Sequence, residues 1–290
     1  MRAVTGETPY PSRRAFCCGL GAALALPIVN PSALAQAPAA QEAAGPPMLP
    51  LRSPGLEHLG LTVPDPEAAA KFYGRIFGPQ LFREREAPPR YYVMAGTAYL
   101  AFGGSATVTP LVDHFCALVH DYRGREMGPR LQGMGIQVAG AGMITDHDGL
   151  RLQLLGVPGG LAGTIVPGGR MSLEPPVVHA VGLDHVILRV SDLERSTIFY
   201  RTFFGNERPR TKDKPPRVWF QIGNTRLGLE AAPAGSKPAV DHFCITVAGF
   251  DRRAVETAFK QLNVELSPSD DEKLLRFRDP HGIVVELKSA

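Results

Sequence analysis

Three things are scarce in this chain: excess charge, cysteine and long apolar runs. Its 290 residues carry 31 Lys and Arg against 28 Asp and Glu, a formal net charge of +3. Arg2, Arg13 and Arg14 against Glu7 account for most of that surplus within the first 35 residues. So weak a bias gives no electrostatic basis for a nucleic-acid partner. Only four cysteines occur, and Cys17 and Cys18 lie near the N-terminus. The other two, Cys116 and Cys244, occupy equivalent places in separate repeats, so two free, buried thiols are expected rather than a disulfide framework. The apolar run from Cys17 to Val29 is too short to span a membrane and is broken by Pro27.

That run belongs to a targeting signal. Ser12-Arg13-Arg14-Ala15-Phe16 reads as a twin-arginine export motif, and Ala33-Leu34-Ala35 as a small-x-small cleavage site before Gln36. Residues 1–35 are therefore expected to be removed during passage through the twin-arginine machinery to the periplasm, with no membrane attachment afterwards. An Ala/Pro-rich tether follows over 36–54.

What the chain does have is internal repetition. Four times an acid is followed by histidine, four residues and then valine: Glu57-His58 to Val63, Asp113-His114 to Val119, Asp184-His185 to Val190, and Asp241-His242 to Val247. Gly55 to Gly78 aligns without a gap to Gly182 to Gly205, Val112 to Cys116 repeats letter for letter as Val240 to Cys244, and Asp146 to Leu154 aligns to Asp279 to Leu287. This long period implies tandem modules rather than a solenoid. The modules are placed at 55–155 and 182–290, with a Gly/Pro-rich linker over 156–181.

Each module is itself doubled. His185 to Val190 is a β-branched run that predicts a strand, and Asp192 to Phe204 predicts a helix, with Ser191-x-x-Glu194 as its capping box and Gly205 as its stop. Strands follow at Arg217 to Ile222 and Arg226 to Glu230 around a Gly223-Asn224 turn. From His242 the pattern restarts, with Val255, Ala258, Phe259 and Leu262 on one helical face and strands near Leu274 to Phe277 and Ile283 to Leu287. The expected class is α+β: two modules, each a pair of βαβββ units forming a curved, cup-like mixed sheet with helices outside.

This architecture brings three residues of the second module together. His185 and His242 open equivalent strands and should face each other across the cup, and Glu286 lies on the closing strand after Asp279-Pro280-His281-Gly282. Two imidazoles and one carboxylate with open positions suit Fe(II) first, with Mn(II), Ni(II) and Zn(II) also compatible. Glu230 ends the strand before His242, where it could reach the metal or act as a base. Arg276 could clamp an anionic substrate oxygen. In the first module His58 and His114 persist, but Gln153 and Gly103 stand where Glu286 and Glu230 would be. That module reads as a degenerate copy, the alternative being a second site on His58, His114 and Gln153. Cys244 lies on the His242 strand face as filler or substrate contact. Trp219 stacks on substrate or fills the core, Phe199 and Tyr200 belong to the helix core, and the cationic loop Arg210 to Arg217 either covers the mouth or is simply solvated.

The module pattern and the His, His, Glu spacing resemble the vicinal oxygen chelate superfamily of glyoxalases, bleomycin-resistance proteins and type I extradiol dioxygenases. The silent first module and the Asp279, Pro280, Gly282, Glu286 motif most resemble the two-domain extradiol enzymes. The resemblance implies metal ligation by His185, His242 and Glu286 and a small-molecule substrate chelated through adjacent oxygens. Two departures stand out: Arg276 occupies the place of a tyrosine, and no histidine lies between Phe199 and Asp241 to act as the distal acid–base group. Three functions remain open: an extradiol-like dioxygenase, a non-redox glyoxalase, epimerase or lyase, and a metal-free ligand-binding protein. The expected state is a monomer or homodimer.

Overall fold

Both sheets are built outward from an antiparallel pair that carries the repeated histidines. A computed structural model describes residues 48–161, 165–170, 175–209, 211, 215–268 and 271–290. The export signal and most of the tether lie outside the described residues. The first module runs β1 (Leu56–Thr62), α1 (Pro66–Phe77), β2 (Gln80–Glu84), β3 (Tyr91–Ala95), β4 (Ala98–Gly103), then β5 (Leu111–Val119), α2 (Gly124–Gly133), β6 (Gln137–Ala139), β7 (Met143–Thr145) and β8 (Arg151–Gly156). After β9 (Ile165–Arg170), the second runs β10 (His179–Val190), α3 (Leu193–Phe204), β11 (Val218–Ile222) and β12 (Thr225–Ala231). It ends with β13 (Ala239–Ala248), α4 (Arg252–Gln261), β14 (Glu265–Ser267), β15 (Leu274–Arg278) and β16 (Val284–Ser289).

The sheet orders are β6-β7-β8-β5-β1-β4-β3-β2-β9 and β11-β12-β10-β13-β16-β15-β14. In each, the central antiparallel pair is flanked by parallel neighbours: β1 by β4, β5 by β8, β10 by β12 and β13 by β16. This is the expected α+β design of paired βαβββ units, with two differences. The unit containing α3 lacks a full edge strand among the described residues, where only Arg208 bridges Trp219. And Ile165–Arg170, within the stretch expected to be a plain linker, pairs with β2 as a new edge of the first sheet.

Strand alternation sorts the side chains. On β10, β13 and β16, Val186, Leu188, Phe243, Ile245, Val285 and Leu287 enter the apolar core, and His185, His242 and Glu286 occupy the opposite face. One continuous core includes residues of both modules. The helices reach across: Phe72 of α1 lies 6.5 Å from Phe277 of β15, and Phe115 of β5 lies 6.3 Å from Tyr200 of α3. α1 and α3 therefore pack between the two sheets, on the face opposite the histidines.

The helix caps are local. Asp65 and Asp192 accept from the backbone N–H of Ala68 and Arg195, so Asp192 rather than Ser191 starts α3. Ser191 instead donates its backbone N–H and its hydroxyl to Asp148 of the other module. Gly205 ends α3 at φ 77°, where a side chain would be strained.

Tyr200 is more than helix core. Its hydroxyl donates to Asp146 of the first module at 2.9 Å, and Tyr73 donates to Asp279 of the second at 3.0 Å. Each aspartate also accepts two backbone N–H groups of its own turn, from Asp148 and Leu150 or from His281 and Ile283. The pseudo-symmetric pair thus ties each module's first helix to the turn that precedes the other's closing strand. Burial raises the pKa of both aspartates, opposed by these hydrogen bonds. Tyr73→Phe and Tyr200→Phe should each lower stability by about 1–3 kcal/mol, because a buried acceptor loses its donor. The shared core should unfold as one transition, with far-UV circular dichroism coinciding with the fluorescence of Trp219, the only tryptophan. Separate transitions, or two phenylalanine variants as stable as the parent, would contradict this interlock.

Candidate metal centre

The register of β10 and β13 sets Ile187 opposite His242 and His185 opposite Cys244, so the two histidines lie diagonally across the pair on one face. Glu286 is opposite Cys244 on β16. Ligand atoms of His185, His242 and Glu286 all lie within 4.8 Å of one another, and all three residues are buried. The imidazoles are nearly perpendicular, at 79° with centroids 5.5 Å apart.

The acid before each histidine, singled out by the sequence repeat, has a physical task. His185 Nδ1 donates to Asp184 at 2.6 Å and His242 Nδ1 to Asp241 at 2.6 Å. Those bonds assign the Nδ1–H tautomer and leave an Nε2 lone pair on each ring. Neither Nε2 has a hydrogen-bond partner, although both are fully buried. They lie 3.4 and 3.5 Å from the Glu286 carboxylate, in electrostatic contact but not hydrogen bonded. The acids are anchored in turn: Asp184 by Arg226 and Lys288, Asp241 by Arg189 at 2.8 Å. Burial alone would raise the Asp184 and Asp241 carboxyls, but their histidine and cationic partners hold both below the usual range. Burial likewise pushes Glu286 upward and is outweighed by the two imidazoles and Arg276, which hold it well below. Asp241 and Glu286 outweigh desolvation to raise His242.

In the neutral Nδ1–H form of both rings, two buried lone pairs and a carboxylate converge on one point. Leaving such polar groups unpaired is costly. A divalent cation is the partner that satisfies all three at once, so the donor set fits one. A second set of metal-ligand residue types, Asp184, His185 and Cys244, shares one histidine with the trio. It fits poorly: Asp184 is already committed to three donors, and burial pushes the Cys244 thiol up, away from the thiolate a metal needs. Cys244 and Cys116 are both buried and free.

Other expected site residues are placed differently. Glu230 does not join the trio: it accepts from Arg189 Nε at 3.0 Å and Arg217 Nε at 2.9 Å, a doubly paired buried carboxylate rather than an available base. Arg276 lies opposite Glu286 in the β15–β16 register and donates its Nε to Oε1 at 2.9 Å, with Nη2 also in contact. It holds the carboxylate rather than standing free as a clamp. Trp219 forms a wall of the cup, edge-on to His185 at 5.4 Å, with the Arg226 guanidinium over its ring. His281 is half-buried in the turn, where its backbone N–H donates to Asp279. Arg210 and residues 212–214 of the cationic loop lie outside the described residues, and its end, Arg217, is drawn in to Glu230.

The first module keeps the frame without the charge. His58 and His114 repeat the near-perpendicular geometry at 5.4 Å, and each Nδ1 pairs with the preceding acid, Glu57 or Asp113. Yet the Gln153 amide lies 3.0 Å from His58 Nε2, a hydrogen-bond partner that the Nε2 atoms of the second module lack. Burial, the largest influence, lowers the pKa of His58. Tyr99 stacks on His58 at 4.5 Å, and Tyr92, Phe82, Leu161 and Ile165 pack with it as a small apolar cluster. The stretch around β9 also supplies the Gly160 N–H to Glu57. The chain thus occupies part of its own cup, beside a cavity of about 400 Å³ lined by Glu57, Tyr99, Gly160 and Leu161.

Comparison with known proteins agrees with this construction. The family described as "Glyoxalase/Bleomycin resistance protein/Dioxygenase superfamily" matches residues 55–120 and 182–287. No curated protein matches the sequence significantly. Among solved structures, the 2,3-dioxygenase LapB from Pseudomonas sp. KL28 superposes with a TM-score of 0.62 at 15% identity, covering 83% of this chain and 93% of its own. The Mn(II)-bound glyoxalase from Novosphingobium aromaticivorans gives 0.60 at 14% identity, covering 83% of both chains. The 2,2',3-trihydroxybiphenyl 1,2-dioxygenase from Sphingomonas wittichii strain RW1 gives 0.59 at 15% identity, covering 82% and 91%. At such identities the likeness establishes the fold alone. With the family match over most of both modules, the chain belongs to the glyoxalase, bleomycin resistance protein and dioxygenase superfamily.

Proposed function

We propose that this protein is a metal-dependent enzyme of the extradiol-dioxygenase kind, with His185, His242 and Glu286 as metal ligands and a substrate bound through two adjacent oxygens. The observation that carries this reading is the pair of buried Nε2 atoms without partners beside an ionised carboxylate. Fe(II) is the preferred ion, and Mn(II), Ni(II) and Zn(II) suit the same ligands. A divalent metal bound there supplies Lewis acidity toward the substrate oxygens and, as iron, a redox partner for dioxygen.

The protein's own contribution is orientation and charge. Asp184 and Asp241 fix the ring tautomers and are held by Arg226, Lys288 and Arg189. Arg276 positions the Glu286 carboxylate. Trp219 offers a planar wall beside His185 against which an aromatic substrate can lie. The first module serves as scaffold, its cup partly filled by Tyr99 and the β9 segment. The twin-arginine motif at Arg13 and Arg14 supports delivery of the folded protein to the periplasm.

A second reading keeps the same ligands but uses no redox chemistry, as in a glyoxalase or epimerase. The absence of histidine between Phe199 and Asp241 favours it, since that stretch offers no distal acid–base group of the extradiol kind. Fold likeness to a Mn(II)-bound glyoxalase is compatible with it. A metal-free binding protein does not account for the unpartnered imidazoles.

Anaerobic loading followed by elemental analysis should find one Fe(II) per chain. His242→Ala should abolish binding, and His114→Ala should leave it intact. Asp241→Asn, which weakens the hold on the His242 tautomer, should lower metal affinity by roughly 10–100-fold. Loss of metal in His114→Ala but not in His242→Ala would move the site to the other module. Oxygen uptake by the iron-loaded protein with catechols is expected. Turnover without oxygen on Ni(II), Co(II) or Zn(II), and none with it on Fe(II), would transfer the assignment to the non-redox reading.

A further inference from the structure

Beside the metal centre lies a cleft of about 450 Å³ whose walls are strongly cationic. Arg189, Lys237, Arg276 and Arg278 line it, with Asp241 as its acid and Ser267 among its hydroxyls. Asp241 and Arg276 belong to both places: one holds His242, the other Glu286. Arg278 is two residues beyond Arg276 on the same strand face, so about 7 Å further from the trio.

The charges are not equally committed. Arg189 is shared between Glu230 and Asp241, and Arg276 rests on Glu286. Arg278 donates to a neutral acceptor, the Gly282 carbonyl, at 3.1 Å. Lys237 is exposed. Among the described residues neither Lys237 nor Arg278 is ion-paired, with Glu265 opposite Arg278 across β14 and β15 as its nearest acid in register. A predominantly cationic cleft, beside a site to which a divalent ion would add positive charge, raises the local concentration of anions and holds them more strongly than open surface does.

We infer that the substrate carries an anionic group, most simply a carboxylate, in addition to its metal-binding oxygens, and that Arg278 and Lys237 receive it. This rests on the metalloenzyme reading and narrows its substrate class. The paired cations also give the site selectivity: a neutral ring of the same shape leaves them without a counter-charge.

The test uses the full protein loaded with Zn(II), which is redox-silent, so that ligands bind without turnover. Isothermal titration compares a catechol bearing a propionate side chain with its neutral propyl counterpart. The carboxylate ligand should bind at least 10-fold more tightly, and the Lys237→Ala, Arg278→Ala double variant should bring that ratio close to one with metal content unchanged. Both residues are exposed, and metal content together with circular dichroism checks that the variant is folded. Equal affinities in the parent, or an undiminished ratio in the variant, would overturn the inference. Metal content is measured first on the same samples, so a failure of the metalloenzyme reading is seen separately. If no metal binds, phenylpropionate titrated into the metal-free protein still decides whether the cleft takes a carboxylate. Binding that the double variant loses supports the cleft, and no binding refutes it.

Discussion

The structure depends on the pairing of each repeated histidine with the acid that precedes it. That bond commits Nδ1, fixes the ring and turns Nε2 into a buried lone pair aimed at the cup. Everything at the centre follows from how that lone pair is satisfied. In the first module the Gln153 amide partners His58 Nε2, and aromatic and aliphatic side chains pack beside it. In the second a carboxylate, Glu286, stands in the same place but has no proton to offer, and two lone pairs remain open. The change from amide to carboxylate at this register position separates the partnered imidazole of the first module from the open pair of the second.

Charge then organises the rest of the active cup. Five cations on the concave side of the second sheet, Arg189, Arg217, Arg226, Arg276 and Lys288, interleave with Asp184, Glu230, Asp241 and Glu286. The acids hold the rings and the cations hold the acids, so the ligands are preorganised by a network rather than by loops. The network runs through strand pairs of fixed register, and the strands are supported from behind by a core that both modules share. The Tyr73–Asp279 and Tyr200–Asp146 bonds extend that support to the turns preceding β16 and β8. The first module, with Gln153 at the matching position, thus stiffens the turn that leads into the strand carrying Glu286.

Much of this was legible in the sequence because duplication wrote it twice. The four acid–histidine pairs marked equivalent strands, the helix stops and the closing-strand motif followed, and the convergence of His185, His242 and Glu286 came from that symmetry joined to the place of Glu286 on the closing strand. What was not legible depends on partners distant in the chain. Glu230 looked available until Arg189 and Arg217 met it across β10 and β11, and Arg276 looked free until β15 paired with β16. Ile165–Arg170 carries Pro167 and two glycines, a composition that hides an edge strand. Ser191 fitted a capping box, but Asp192, one residue on, is the stronger cap, and the serine was drawn to Asp148. The partial filling of the first cup was foreshadowed by Gln153 but not by Tyr99, whose counterpart in the second module is Arg226 by strand register.

The central claim is that two imidazoles and one carboxylate of the second module hold a metal ion. X-ray absorption spectroscopy on the protein loaded with one equivalent of Zn(II) tests it most directly. The account expects two imidazole nitrogens at about 2.0–2.1 Å, oxygen completing the shell and no sulfur, with the imidazole signal lost in His185→Ala. A sulfur shell near 2.3 Å would assign the ion to Cys244 instead, and a spectrum without imidazole scattering would contradict the account outright.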